Sequence, residues 1–242
     1  MTALNLDILY QDKHYIAINK PAGMLVHRSG IDRHETVFAM QLLRNQIEQK
    51  VFPLHRLDKP TSGVLLFALS SEAAKAMASV FEQHDIHKHY LAVVRGYAPE
   101  QGHIDHALKE IDDKHDDARR QKNKDAQEAI TDYRRIAKIE LPVCVDKYPQ
   151  SRYSLVELSP QTGRRHQIRR HLKHIAHPII GDVNYGKGTH NRYYADSLNC
   201  KRLLLHASQL EFVHPYTQQP IRIYAELDNT MQALFKRFNW QT

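Results

Sequence analysis

The apolar positions near the N-terminus fall into two short strand-like runs, DILYQD (Asp7–Asp12) and HYIAIN (His14–Asn19), separated by a polar turn. The turn sequence Lys20-Pro21-Ala22-Gly23 follows, so the pattern predicts a hairpin leading into a loop. A helical stretch is expected over Thr36–Gln49, and Val64–Leu69 is a continuous apolar run of the kind that forms a fully buried strand. Ser70 or Ser71 then caps a helix whose apolar residues Ala73, Ala76, Met77, Val80 and Phe81 keep the helical period, and HYLAVVRG (His89–Gly96) is the next strand. These three pieces read as a strand, helix, strand unit.

Beyond them the chain loses its apolar periodicity. Gln101–Glu128 is dense in charge of both signs and short of core-forming residues, so it reads as an exposed, partly mobile excursion. Further strands are expected at Ala129–Ala137, Tyr153–Leu158, Arg202–Val213 and Pro220–Leu227, with a closing helix at Asn229–Phe238. There is no repeat and no linker rich in Pro, Gly or Ser. Residues 1–242 are therefore expected to form one α/β domain of the α+β kind, a mixed sheet flanked by helices rather than a regular strand and helix alternation.

Composition narrows the function. A 42% hydrophobic content fills an ordinary core, and no apolar run approaches the length that spans a bilayer, so a cytoplasmic protein without membrane partners is expected. Cys144 and Cys200 stand far apart, which argues against a disulfide framework or a thiolate metal site. The net charge is +7, and the excess is concentrated. In RRHQIRRHLK (Arg164–Lys173) five of ten residues are Arg or Lys and none is acidic, a patch that either attracts a nucleic acid or forms a solvated helix face.

Two stretches carry candidate chemistry. HRLDKPTSGVLLF (His55–Phe67) holds a lone carboxylate, Asp58, between basic neighbours at the mouth of a strand. Such an aspartate serves either as nucleophile or base, or as an Asp turn capping backbone N–H groups. In TGRRHQIRRHLKHIAHP (Thr162–Pro178) a helix starts at Thr162 or Gly163 and ends before Pro178, with Ile168, Leu172 and Ile175 turned inward. Arg169 follows Ile168 by about 100° of rotation, on the boundary between core and solvent, where it can reach a semi-buried carboxylate such as Asp58. Arg165, Arg170, His171 and Lys173 remain outward for phosphates. His171, His174 and His177 do not converge cleanly on one metal, and with 17 histidines in the chain their clustering is ascribed to chance. GDVNYGKG (Gly181–Gly188) departs from a phosphate-binding loop at Gly188 and is read as a Gly-rich turn before a poor helix start, NRYYADS.

HRLDKPTSG resembles the catalytic motif of the RluA-type pseudouridine synthases. NKPAGMLVH (Asn19–His27), KHYLAVVRG (Lys88–Gly96), TGRRHQIRRHL (Thr162–Leu172), HPIIGDVNYG (His177–Gly186) and LLHASQLEFVHP (Leu204–Pro215) resemble the other blocks of that family in the same order. The resemblance implies a pseudouridine synthase catalytic fold with a long, bent, largely antiparallel mixed sheet, and an active site in a basic cleft. It implies an isomerase that detaches uracil from its ribose in RNA, turns it and rejoins it through carbon, with no cofactor and no metal. By the same resemblance Asp58 is the nucleophile, Tyr90 lies against the target base with a hydroxyl for proton transfer, Arg169 pairs with the aspartate, and Arg56 fills the gap left by the flipped uridine. His55, Arg164, Arg165, Arg170 and Lys173 complete the expected RNA-binding set.

Pro60 stands where many relatives have an acidic residue, and Arg165 and Arg170 replace small or apolar ones. With HRSG (His27–Gly30) and ASQLEFVHP these features resemble the branch that modifies uridine 65 of tRNA. No S4-type RNA-binding domain is expected before the catalytic region, and a monomer is favoured. The alternatives are an rRNA enzyme of the same family or an RNA-binding chaperone without catalysis; a histidine-based metal hydrolase ranks behind both.

Overall fold

The computed structural model describes residues 5–27, 36–82, 85–111 and 125–241. Within them lies a ten-stranded sheet: β1 (Asp7–Gln11), β2 (Tyr15–Lys20), β3 (Phe52–Pro53), β4 (Ser62–Ala68), β5 (Ile86–Arg95), β6 (Gln101–Asp105), β7 (Ile130–Leu141), β8 (Ser151–Pro160), β9 (Leu205–Val213) and β10 (Pro220–Tyr224). The spatial order is β1-β2-β4-β9-β5-β8-β7-β6, with β3 beside β4 and β10 beside β9. All pairings are antiparallel except β4 with β9, which run parallel over Ser62–His206 and Gly63–Ala207. That is the mixed, largely antiparallel sheet the sequence implied.

Alternation along β4, β5 and β8 sends apolar side chains to both faces. Leu65, Phe67, Ala92, Val94, Val156 and Leu158 face α1 (Ala39–Gln46) and α3 (Gln167–His174). On the other face Leu91, Val93, Tyr153 and Leu155 pack with α4 (Gly188–Ser197) and α5 (Asn229–Phe238), while Val64 and Leu66 pack with α2 (Ser71–Glu82). The N-terminus of α2 is held by Ser70, whose Oγ accepts from Ala73 N at 3.1 Å.

Four expectations change. The strand, helix, strand unit is not a pair of neighbours, because β9 inserts between β4 and β5. Gln101–Glu128 is not wholly an excursion: Gln101–Asp105 pairs with β7, and Ile104 and Leu108 are buried among otherwise polar neighbours. Residues 112–124 of that segment lie outside the described residues, as do Arg28, Ser29 and Gly30 of the HRSG stretch. NRYYADS is helical, held by the packing of His190 and Tyr194 into the core rather than by a side-chain cap, which its N-cap Lys187 lacks. The helix expected from Thr162 begins at Gln167, because the Thr162 hydroxyl donates to Gln167 Oε1 and His166 turns left-handed with φ of 55°.

Candidate active site

The loop between β3 and β4 presents Asp58 through a set of backbone anchors. His55 Nε2 accepts from Leu66 N at 3.1 Å, which fastens the start of the loop to β4. Leu57 turns into the core, so Arg56 and Asp58 on either side face outward. The turn closes through backbone alone, Asp58 O accepting from Thr61 N at 3.0 Å, and no described backbone N–H donates to the carboxylate. Of the two sequence readings, the Asp turn therefore fails. Gly63 has φ of 111°, and a side chain there would collide with the Ala207 carbonyl, so the loop can enter β4 against β9 only through glycine.

Lys20 holds the same loop from behind. Its buried ammonium donates to Pro21 O at 2.9 Å, Met24 O at 2.8 Å and Lys59 O at 3.2 Å, filling all three of its donors. Burial and then the charge of Arg202 push its pKa down to about 7, against the opposing pull of Asp58.

Arg169 reaches in from α3. Its Nη1 donates to Asp58 Oδ2 at 2.9 Å, while Nε and Nη2 grip Asp182 at 2.7 and 2.9 Å. Its guanidinium also lies 5.1 Å from the Tyr185 ring. Burial alone would lower its pKa, but the hydrogen bonds and charge of Asp182, and then those of Asp58, raise it, so the guanidinium stays charged. Burial likewise pushes the Asp182 carboxyl up, but Arg169 and the Tyr185 and Asn184 N–H groups hold it below its ordinary value. The pairing of Arg169 with Asp58 was legible in the sequence; the second carboxylate was not.

These groups open onto a cleft of about 400 Å³. Its lining includes Arg56, Asp58, Lys88, Tyr90 and Arg164 to Arg169, so five Arg or Lys surround one carboxylate. Tyr90 is 8% exposed, and burial, followed by the charge of Asp58, raises its pKa, keeping the phenol protonated. A bulge places Ser208 of β9 as the extra residue opposite the His89–Tyr90 step. His55 also lines the cleft, but burial and then the charge of Lys88 push its pKa down to about 3, so it is a neutral acceptor rather than a phosphate-binding cation.

The remaining basic residues divide. Arg164 Nε and Arg165 Nη1 stand at the cleft wall and donate to the carbonyls of Glu128 and Ile111 at 3.0 and 3.1 Å. Arg170, outside the cleft lining, donates to Lys109 O at 2.9 Å, and Lys173 is exposed with its Nζ 5.8 Å from the Tyr185 ring. Sequence reasoning missed Lys88 and His166. The left-handed His166 bonds Tyr185 Oη through Nδ1 at 3.0 Å and brings Nε2 to 3.9 Å from Asp58 Oδ2. A histidine between a basic pair and a buried glutamine gives no sequence signal for that geometry. His171, expected to face outward for phosphates, is instead buried, its Nδ1 2.9 Å from the Thr131 hydroxyl and its Nε2 3.1 Å from His106 O; His174 stacks on the His106 ring, and His177 Nδ1 bonds Arg95 O at 2.9 Å. Among the described residues no His, Cys, Asp and Glu side chains gather as metal ligands.

An anchored carboxylate and a protonated phenol thus share one cleft whose positive charge suits a polyanion. The model of the RNA pseudouridylate synthase family matches residues 14–174, and the chain belongs to that family and is an enzyme of that class. Among relatives, the tRNA pseudouridine synthase C of Haemophilus ducreyi is 58% identical over 237 residues, covering 98% of this chain and 97% of that one. The tRNA pseudouridine synthase C of Vibrio vulnificus is 55% identical over 235 residues, covering 97% and 96%. Among solved structures, human RNA pseudouridylate synthase domain containing 4 superimposes with a TM-score of 0.71 at 25% identity, over 98% of this chain and 94% of that one.

Proposed function

We propose that this enzyme isomerises uridine to pseudouridine in tRNA, with uridine 65 as its target and Asp58 as the nucleophile. The observation that carries the reading is the Asp58 carboxylate, fixed by Arg169 at 2.9 Å in a cationic cleft lined by Tyr90. The near full-length identity to tRNA pseudouridine synthase C of several bacteria supports tRNA as the substrate. We further read residues 1–242 as one catalytic domain, working as a monomer in the cytoplasm.

The reaction balances without any added reactant. The N1–C1′ bond breaks, a C5–C1′ bond forms, the C5 hydrogen leaves as a proton and N1 takes one up. Asp58 attacks either ribose C1′ or the base, and both routes need its carboxylate held still while the base turns. Arg169 supplies that hold, and Asp182 keeps Arg169 from following the substrate. Tyr90 packs against the extruded base and offers its hydroxyl for proton transfer, while Arg56, exposed at the rim, fills the gap in the stack. Arg164 and Arg165 contact the backbone that leads into the cleft.

Because C5 loses its hydrogen, tRNA transcribed with 5-tritiated uridine should release tritium to water. The expected result is one equivalent released per tRNA and none from matched rRNA fragments. Release from rRNA alone would reassign the substrate.

A further inference from the structure

Beside Tyr90 the cleft wall carries an ammonium with no counter-ion. Lys88 stands two residues before Tyr90 on β5, and both side chains line the cleft that holds Asp58. Strand alternation puts them on one face. The Lys88 Nζ lies 5.6 Å from the centre of the Phe81 ring and 4.0 Å from where a Cβ on Gly163 would stand. Gly163 has no side chain to cover it, so the ammonium opens onto the cleft next to Arg164 and Arg165.

The other cations of the cleft are engaged or exposed. Arg169 is held between Asp182 and Asp58, Arg164 and Arg165 donate to the carbonyls of Glu128 and Ile111, and Arg56 is exposed at the rim. Lys88 is half-buried, and among the described residues its Nζ makes no hydrogen bond and no ion pair. The Phe81 ring is a weak substitute for an anion. Burial lowers the Lys88 pKa, and no carboxylate offsets it. A desolvated cation of this kind costs stability, and it is kept where a ligand supplies the missing charge. After burial, the charge of Lys88 is what keeps His55 neutral, so His55 does not share that ligand as a second cation.

We propose that Lys88 binds a backbone phosphate of the target nucleotide, the one directly 5′ or 3′ of the uridine that packs against Tyr90. The inference rests on the RNA-modifying function proposed above and gives its cleft a phosphate subsite. Two residues of extended strand set Lys88 about 6.8 Å from Tyr90 along the same wall, within the reach of one nucleotide from base to phosphate. The ligand is an anion rather than a uracil carbonyl, because the ammonium carries a full charge that no residue meets. Extruding a nucleotide unstacks its base, and a contact to its phosphate inside the cleft offsets part of that cost.

The test uses a tRNA ligated from synthetic pieces, in which the phosphate on either side of uridine 65 is replaced, one at a time, by an uncharged methylphosphonate. The sugar preceding each of the two linkages is deoxy in every RNA, so that the linkage survives. Binding is read by fluorescence anisotropy across salt concentrations in the Asp58→Ala background, with and without Lys88→Met. On the all-phosphate RNA, Lys88→Met should weaken binding about tenfold near physiological salt and lower the log-log salt slope by about 0.7 to 0.9, the share of one phosphate contact. One of the two methylphosphonates should weaken binding by a similar factor, and Lys88→Met should add nothing to that loss. Lys88→Arg should keep most of the affinity and the slope. Because Lys88 has no partner in the folded chain, Lys88→Met should leave the urea midpoint unchanged or raise it. An unchanged salt slope would overturn the inference, as would losses that simply multiply at both positions; a lowered urea midpoint with either would make Lys88 a structural residue. A wild-type enzyme that binds a tritiated transcript without releasing tritium would defeat the tRNA reaction, and the salt slope of Lys88→Met would still decide whether the cleft takes a phosphate there.

Discussion

Arg169 and Arg170 are neighbours on one helix with the same side chain, and they live in different solvents. Arg169 is 3% exposed and clamped between two carboxylates, whereas Arg170 reaches through partly open space to the carbonyl of Lys109. The difference comes from helix rotation: Ile168 and Leu172 fix the inward face, and the residue about 100° away must enter the core boundary. A guanidinium there is costly unless its charge is met, and Asp182 meets it with two hydrogen bonds. Its remaining Nη1 then serves Asp58, so the inner arginine transmits the rigidity of the core to that carboxylate.

Breaking the inner side should cost most. Asp58→Ala should lower turnover by roughly 10,000-fold or more, the scale of removing a nucleophile, while RNA affinity stays within a few-fold. Single-turnover kinetics would check both. Arg169→Met leaves Asp182 buried without its partner and should destabilise the fold by about 3–5 kcal/mol in urea unfolding, with turnover falling more than affinity. Asp182→Asn keeps the shape but loses the charge, and should lower kcat by about 10- to 100-fold with a smaller change in KM. A KM effect alone would detach Asp182 from the positioning of Asp58.

Buried neutral histidines sharpen the comparison by pH. Burial and the charge of Lys88 push His55 down to about 3, and burial, followed by Arg202, pushes His206 down to about 4 despite its bond to Ala225 O. Both folded values lie below the unfolded value of about 6.5, so below that pH the unfolded chain binds more protons. The stability they contribute is complete above about pH 6.5 and is lost as pH falls toward 4 and 3. Thermal melts should show Tm declining over that window, and His55→Gln, which keeps an acceptor, should flatten the decline. On the outer side Arg170→Ala should change kcat less than threefold, measured at saturating RNA, because the residue touches no group of the reaction.

Much of this was legible in the chain because local physics dictated it. The apolar runs gave the strands, and the turn chemistry of HRLDKPTSG gave the loop. The spacing of Ile168, Leu172 and Ile175 gave the face that turns Arg169 inward. What the sequence hid depended on distant partners. The insertion of β9 between β4 and β5 is a long-range pairing without a local pattern, and β6 is polar because it is an edge strand. Asp182 looks like a turn residue until Arg169, thirteen positions earlier, folds onto it. Arg164, Arg165 and Arg170 look like a free basic face, yet each donates to a carbonyl of the neighbouring polar segment.

The most direct test of the central claim maps pseudouridine in a tRNA transcript by carbodiimide adduct and primer extension, after incubation with wild type or Asp58→Ala. Wild type should give a stop at uridine 65 and the variant none, although both bind the RNA. A stop that survives in Asp58→Ala, or no stop with a wild-type enzyme that binds the transcript, would contradict it.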